Sequence, residues 1–261
     1  MTRMPSVFVS HGAPNIALYD TADRRFFDGL ATRLPRPRAI LVASAHYAAA
    51  VPAVTASAAP QTIHDFYGFE AELYALRYAA PGAPDVAARA LGLLESELGV
   101  AGISDHSWGF DHGAWSPLIR IYPQADIPLV VLSLKPDGGA RWHYRVGQAL
   151  APLRDEGVLI LGSGSMTHNL SRLRPPAEHD ARAPWVTGFL AWVDAQIEHT
   201  NDDALCDYLA QAPHARDCHP TDEHFMPLFV ALGAAGPTRA ATRLHRGMNY
   251  GTLAMDAWRF D

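Results

Sequence analysis

The sequence is poor in cysteine, in charge and in long apolar runs. Its two cysteines, Cys206 and Cys218, lie late in the chain and form no C-x-x-C pair, so no disulfide framework of a small secreted fold is available. A reduced, cytoplasmic compartment is the expectation. Only 18% of residues are charged and the net charge is −6, which offers no field for nucleic acid or an anionic membrane. A small neutral or anionic substrate stays open. No run approaches the ~18 apolar residues of a membrane span, and the short strand after Met1-Thr2-Arg3 falls well short of the ~7–15 apolar residues of a signal peptide. Familiar motifs are missing as well. There is no H-E-x-x-H helix of a zinc protease. Gly162-Ser163-Gly164-Ser165 is neither a nucleophile elbow, since Met166 stands where the closing glycine belongs, nor a dinucleotide loop, since no glycine follows at the required place.

What the chain does have is histidine at the ends of apolar strands. Val7–Pro14 runs into His11-Gly12, Ala39–Tyr47 into His46, and Val158–His168 into Gly-Ser-Gly-Ser and then His168. Between them lie helical periods at Thr21–Leu34, Asp85–Leu98, Ser116–Tyr122 and Ala140–Leu153, with further strands at Val51–Ser57 and Ile127–Leu134. Strand and helix alternate without a boundary from residue 6 to about residue 170. That alternation predicts an α/β fold, one domain over 1–261, with a largely parallel or mixed central sheet covered by helices on both faces. Later segments predict helices at Pro184–Glu198 and Asp202–Leu209, a helix capped by Thr221 that carries His224 in its first turn, and a strand at Arg239–His245.

Thirteen histidines invite a metal reading, but most have ordinary surroundings. His179, His199, His214 and His245 lie among charged or helix-type residues and read as solvated surface groups. His11, His46 and His168 are different, because loops at the carboxyl edge of a parallel sheet share one crevice where ligands converge. A further ligand has to come from far along the chain, and His224 or Glu223 is the natural choice. His112 beside Asp111 suits either an acid, base or substrate donor or a structural hydrogen bond. The ring-rich Gln61–Phe69 segment either walls a planar substrate or covers the edge of the core. Leu170–Ala183, with Arg172, Arg174 and Arg182, reads as an exposed loop suited to a lid.

Six short stretches taken in order resemble one family over nearly the whole chain. They are Ser10–Pro14, Ser44–His46, His64–Phe69, Asp111–Trp115, Gly162–Asn169 and His219–His224, and the resemblance is to the class III extradiol ring-cleaving dioxygenases of the DOPA dioxygenase type. It implies His11, His46 and His224 as metal ligands, His168 as the catalytic acid/base, and His112 as a second pocket group that meets substrate or oxygen. It also implies a pocket wall from His64, Phe66, Tyr67, Phe69 and Trp115, with a catechol and O2 as substrates and Fe(II) as the working metal. Zn(II) suits three neutral histidines equally well. A zinc hydrolase of a small amide or ester is therefore the alternative, disfavoured because the sequence shows no obvious carboxylates around the ligands.

Overall fold

The computed structural model describes residues 3–175 and 181–261. Its strands are β1 (Ser6–Ser10), β2 (Ala39–Ala48), β3 (Ala53–Thr55), β4 (Ile103–Asp105), β5 (Leu129–Leu134), β6 (Val158–Gly164), β7 (Ala241–His245), β8 (Met248–Asn249), β9 (Leu253–Ala254) and β10 (Ala257–Phe260). Eight of them form one sheet in the order β4-β3-β5-β2-β6-β1-β10-β7, and β8 pairs with β9 in a small ribbon. The middle of the sheet, β5-β2-β6-β1, is parallel. Antiparallel pairs flank it, β3 on β5 at one side and β10 on β1 at the other. The sheet is thus mixed.

Both faces are buried, as the near-continuous apolar strands require. Phe8, Leu41, Val130 and Ile160 pack on one side with the helices Pro84–Leu98, Gly139–Leu150, Pro184–Glu198 and Met226–Ala235. Val7, Val9, Ile40, Val42 and Leu161 pack on the other with Ala22–Leu30 and His112–Ile121. Alternate residues of each strand therefore serve opposite cores, and each large side chain so buried contributes about 1.5–3 kcal/mol. Two glycines let the layers close. A Cβ at Gly162 would meet the Pro227 carbonyl and one at Gly164 the His224 carbonyl, so the end of β6 is bare enough for the following helix to lie against it.

Several boundaries differ from expectation, each for a local reason. Asp111 accepts a hydrogen bond from the Ala114 amide (3.2 Å) and caps a helix that starts at His112, not Ser116. His224 stands before its helix, which begins at Met226 with Pro227 in the first turn, the place where proline costs nothing. Thr221 does not cap it, and its hydroxyl instead donates to Glu223 (3.1 Å). The predicted Thr21–Leu34 helix ends at Leu30 and tightens to a 3-10 turn over Ala31–Arg33. The apolar C-terminal tail is β10, inserted between β1 and β7. No helix among the described residues is long and apolar enough to cross a membrane.

Candidate metal centre

The carboxyl edge of the parallel strands gathers five imidazoles. His11 is the first residue past β1, His46 lies near the end of β2, and His224 occupies the turn before Met226–Ala235. That turn is fixed to the sheet by the Ser165 amide, which donates to the His224 carbonyl (2.8 Å). One ligand atom from each of His11, His46 and His224 falls within 4.8 Å of the others. The Nε2 atoms of His11 and His46 stand 3.1 Å apart.

The outward-facing nitrogens explain which lone pairs are free. Ser163 Oγ donates its only proton to the Gly113 carbonyl (2.5 Å), so it accepts from His11 Nδ1–H (3.0 Å) and leaves His11 Nε2 bare. Glu223 accepts from His224 Nδ1–H (3.0 Å) in the same way. Burial pushes the pKa values of His11 and His224 well below the ordinary range, and the neighbouring imidazoles add to it. His46 is lowered to about 3 by burial and by His112. Three neutral nitrogen donors facing one point match the ligand set of a divalent transition metal with positions left open.

His112 and His168 flank this point. His112 opens its helix and is held by Asp65, whose Oδ1 accepts the His112 backbone N–H (2.8 Å) and whose Oδ2 accepts Nδ1–H (2.9 Å). Its ring centroid is 3.8 Å from that of His46. Burial pushes the Asp65 carboxyl up, but hydrogen bonds from His112 outweigh it and hold the group below its usual range. The His168 ring stacks on His224 with centroids 3.4 Å apart. Burial lowers the His168 pKa, and its backbone N–H donates to the Cys218 carbonyl (2.9 Å).

All five histidines line one cavity of about 240 Å³, walled by Phe66, Phe69, Leu170, Leu253 and Met255 with Ser165 as a further polar group. Of the five pocket residues expected from the sequence, Phe66 and Phe69 line it. Tyr67 is 92% exposed and turns away. Trp115 is fully buried beneath, its indole N–H donating to the Ile63 carbonyl (2.9 Å), so it supports the ring-rich loop from behind. His64 is spent on the Leu76 carbonyl (3.1 Å) at the back of the same loop. The loop alternates sides, which the run of aromatic letters did not reveal.

Other expectations change too. Carboxylates do surround the histidines, Asp65 at His112 and Glu223 at His224, against the expectation that none would. Asp65 sits inside the His64–Phe69 stretch and Glu223 beside His224, and those positions were the available signal. His245 is not a solvated group: its Nε2 donates to Asp23 (2.7 Å) and its ring stacks on Phe26 at 4.5 Å. His199 and His214 are exposed; His179 lies outside the described residues. Of the expected lid, Leu170–Arg172 is a 3-10 turn, Arg172 pairs with Asp217 (2.9 Å), and residues 176–180 lie outside the described residues. Leu253 and Met255, from β9 and its exit, were not foreseen as pocket wall.

Comparison with known proteins agrees with this arrangement. Residues 5–257 match the family model for the catalytic LigB subunit of aromatic ring-opening dioxygenase. A protein of Beta vulgaris named 4,5-DOPA dioxygenase extradiol is 40% identical over 97% of this chain and 95% of its own length. One of the same name from Escherichia coli K12 is 40% identical over 97% and 93%. The crystal structure of an uncharacterized Escherichia coli K12 protein superposes with a TM-score of 0.82 at 34% identity, covering 99% of this chain and 100% of that one. A chain matched over almost its full length by both sequence and fold has its class settled: it belongs to the LigB family of metal-dependent aromatic ring-opening dioxygenases, the class III extradiol enzymes.

Proposed function

We propose that residues 1–261 form one catalytic domain, acting in the cytoplasm, that opens the ring of a small catechol beside its paired hydroxyls with both atoms of O2. The observation that carries this reading is the convergence of the His11, His46 and His224 donor atoms in a cavity whose remaining walls are mostly apolar. These three residues would hold Fe(II). When bound, the ferrous ion supplies a chelation point for both catechol oxygens and an electron path from substrate to O2.

The chain's own residues do the rest. Phe66 and Phe69, packed edge to face on each other, form one apolar wall against which a planar ring rests, and that wall excludes water while admitting O2. His168 sits over His224 on the cavity side, in reach of a phenolic proton delivered at the metal position; it takes that proton and later returns it to the oxygenated product. His112 has Nδ1–H committed to Asp65, so its Nε2 is the free nitrogen and accepts a hydrogen bond from a substrate hydroxyl in the cavity. DOPA, the substrate in the names of two relatives, heads the candidate catechols.

The test is anaerobic reconstitution with Fe(II), addition of catechols including DOPA, and admission of O2. The reading expects O2 uptake with a yellow ring-opened product. Bound iron with no uptake on any catechol would overturn it. The same donor set takes Zn(II), and the zinc-loaded protein is expected to bind catechol without consuming O2.

A further inference from the structure

Helix His112–Ile121 contains a proline six residues in, Pro117, buried among the packed side chains of its face. A proline there has no N–H to give to the carbonyl four residues back. That carbonyl belongs to Gly113. It does not go unpaired, because the Ser163 hydroxyl from β6 donates to it (2.5 Å). Ser163 has one proton, so its oxygen can only accept from His11 Nδ1 (3.0 Å). The His11 proton is thereby fixed on Nδ1, and Nε2 faces His46 Nε2 (3.1 Å) as a lone pair.

The geometry points to a relay in which Pro117, by freeing the Gly113 carbonyl, sets the tautomer of His11 for metal binding through Ser163. Two further features fit. Gly113 packs directly against β2 beside the site, where a Cβ would meet Ser44 Oγ at 2.6 Å and His46 Cδ2 at 2.9 Å, so a larger residue would push this turn of the helix off the sheet. Ser163 is fully buried, so no solvent competes for its proton. With an alanine at 117, the helix amide would take one of the two lone pairs of the Gly113 carbonyl, which it then shares with the Ser163 hydroxyl; the shared bond is weaker, so the hydroxyl turns in part of the molecules to donate to His11 Nδ1. The His11 proton would then move to Nε2, where it blocks the cation. Ser163 and Pro117 are positioning residues in this scheme and touch no substrate. The scheme rests on His11 being a metal ligand, as proposed above.

The test uses the full chain, first stripped of metal and then titrated with Zn(II) against a competing chelator. Ser163→Ala is expected to weaken Zn(II) binding by about 10–100-fold, the range for residues that orient a ligating histidine. Pro117→Ala should weaken it several-fold while the melting temperature holds or rises, since alanine restores a helix hydrogen bond. Nitrogen-15 NMR of the metal-free protein reads the tautomer independently of any metal: wild type is expected to show His11 as Nδ1–H, and both variants a shift toward Nε2–H. An unchanged His11 signal and unchanged Zn(II) affinity in Ser163→Ala would overturn the relay. Wild-type affinity in Pro117→Ala beside a weakened Ser163→Ala would overturn the part assigned to the proline. Wild type that shows the Nδ1–H signal yet binds no Zn(II) would instead sink the ligand assignment and leave the tautomer control standing.

Discussion

The two ends of the central sheet both bury strongly polar groups, and they do so in opposite ways. At the amino edge the fully buried Arg154 donates to the carbonyls of Met4 (2.6 Å), Ala234 (2.9 Å) and Phe260 (3.3 Å). Burial lowers its pKa only to about 10, so it stays charged and its donors tie together the segment before β1, the end of helix Met226–Ala235 and the end of β10. At the carboxyl edge, His11 and His46 turn Nε2 atoms toward each other (3.1 Å), and the Nδ1 protons of His11, His112 and His224 are committed to Ser163, Asp65 and Glu223. A buried charge with all its partners in place is a structural tie. Buried lone pairs converging on one point call for a partner from outside the chain, and that contrast separates architecture from site.

The sharpest way to break the comparison is to remove a lone pair. His11→Ala is expected to reduce metal content to background and turnover by at least about a thousandfold, with little change in the stability of the metal-free protein; metal analysis and O2 uptake read it. His168→Ala should lower turnover by roughly 10²–10⁴-fold, the usual worth of a positioned acid/base, with metal content retained. Loss of metal in that variant would make His168 a ligand. At the other end of the sheet, Arg154→Met should do the reverse. Turnover per folded molecule stays, while three carbonyls lose their donor and stability falls by about 3 kcal/mol or more, seen as a lower urea midpoint.

Two smaller effects sharpen the contrast. His143 is a buried histidine with both nitrogens satisfied: Nδ1–H donates to the Gly139 carbonyl (2.7 Å) and Nε2 accepts the Lys135 amide (3.1 Å). Burial lowers its pKa from the ordinary 6.5 to about 4. The unfolded chain therefore takes up the proton first, so this contribution is complete above about pH 6.5 and is lost as pH falls toward 4. It amounts to roughly 3 kcal/mol in full, and His143→Gln should flatten that part of the stability profile. Asp65→Asn is expected to lower turnover about tenfold with metal retained, because the amide can present a donor to His112 Nδ1 and disturb its tautomer. Equal loss of metal would mean that Asp65 serves His46 instead, from which it lies 3.6 Å.

Much of this contrast was legible in the sequence. Short apolar strands stopping at Gly or Ser and a histidine marked the carboxyl edge, and the alternation of strands and helices marked the covered sheet. The pairing of β10 with β1 was not legible, because a four-residue apolar tail carries no sign of which strand it joins. Asp111 did carry a sign, as a good N-cap, but Pro117 six residues on suits a helix that starts at Ser116, and the tertiary use of its missing N–H is invisible in one dimension. Pro227 was the sign of the true start of the last helix, but Thr221 reads as the cap in the sequence, and that reading puts His224 inside a helix that it precedes. The facing directions of Tyr67, His64 and Trp115 depend on how one loop folds over a helix, and composition cannot supply that. The Asp23–His245 pair joins residues from opposite ends of the chain, beyond the reach of any local pattern.

The central claim is that the converging nitrogens of His11, His46 and His224 are a metal site. Anaerobic titration of chelator-stripped protein with Fe(II), followed by melting temperature, tests it most directly. One equivalent should saturate the protein and raise its melting temperature, and His11→Ala should abolish both effects. No saturable uptake by the wild type, or the same uptake by His11→Ala, would contradict the account.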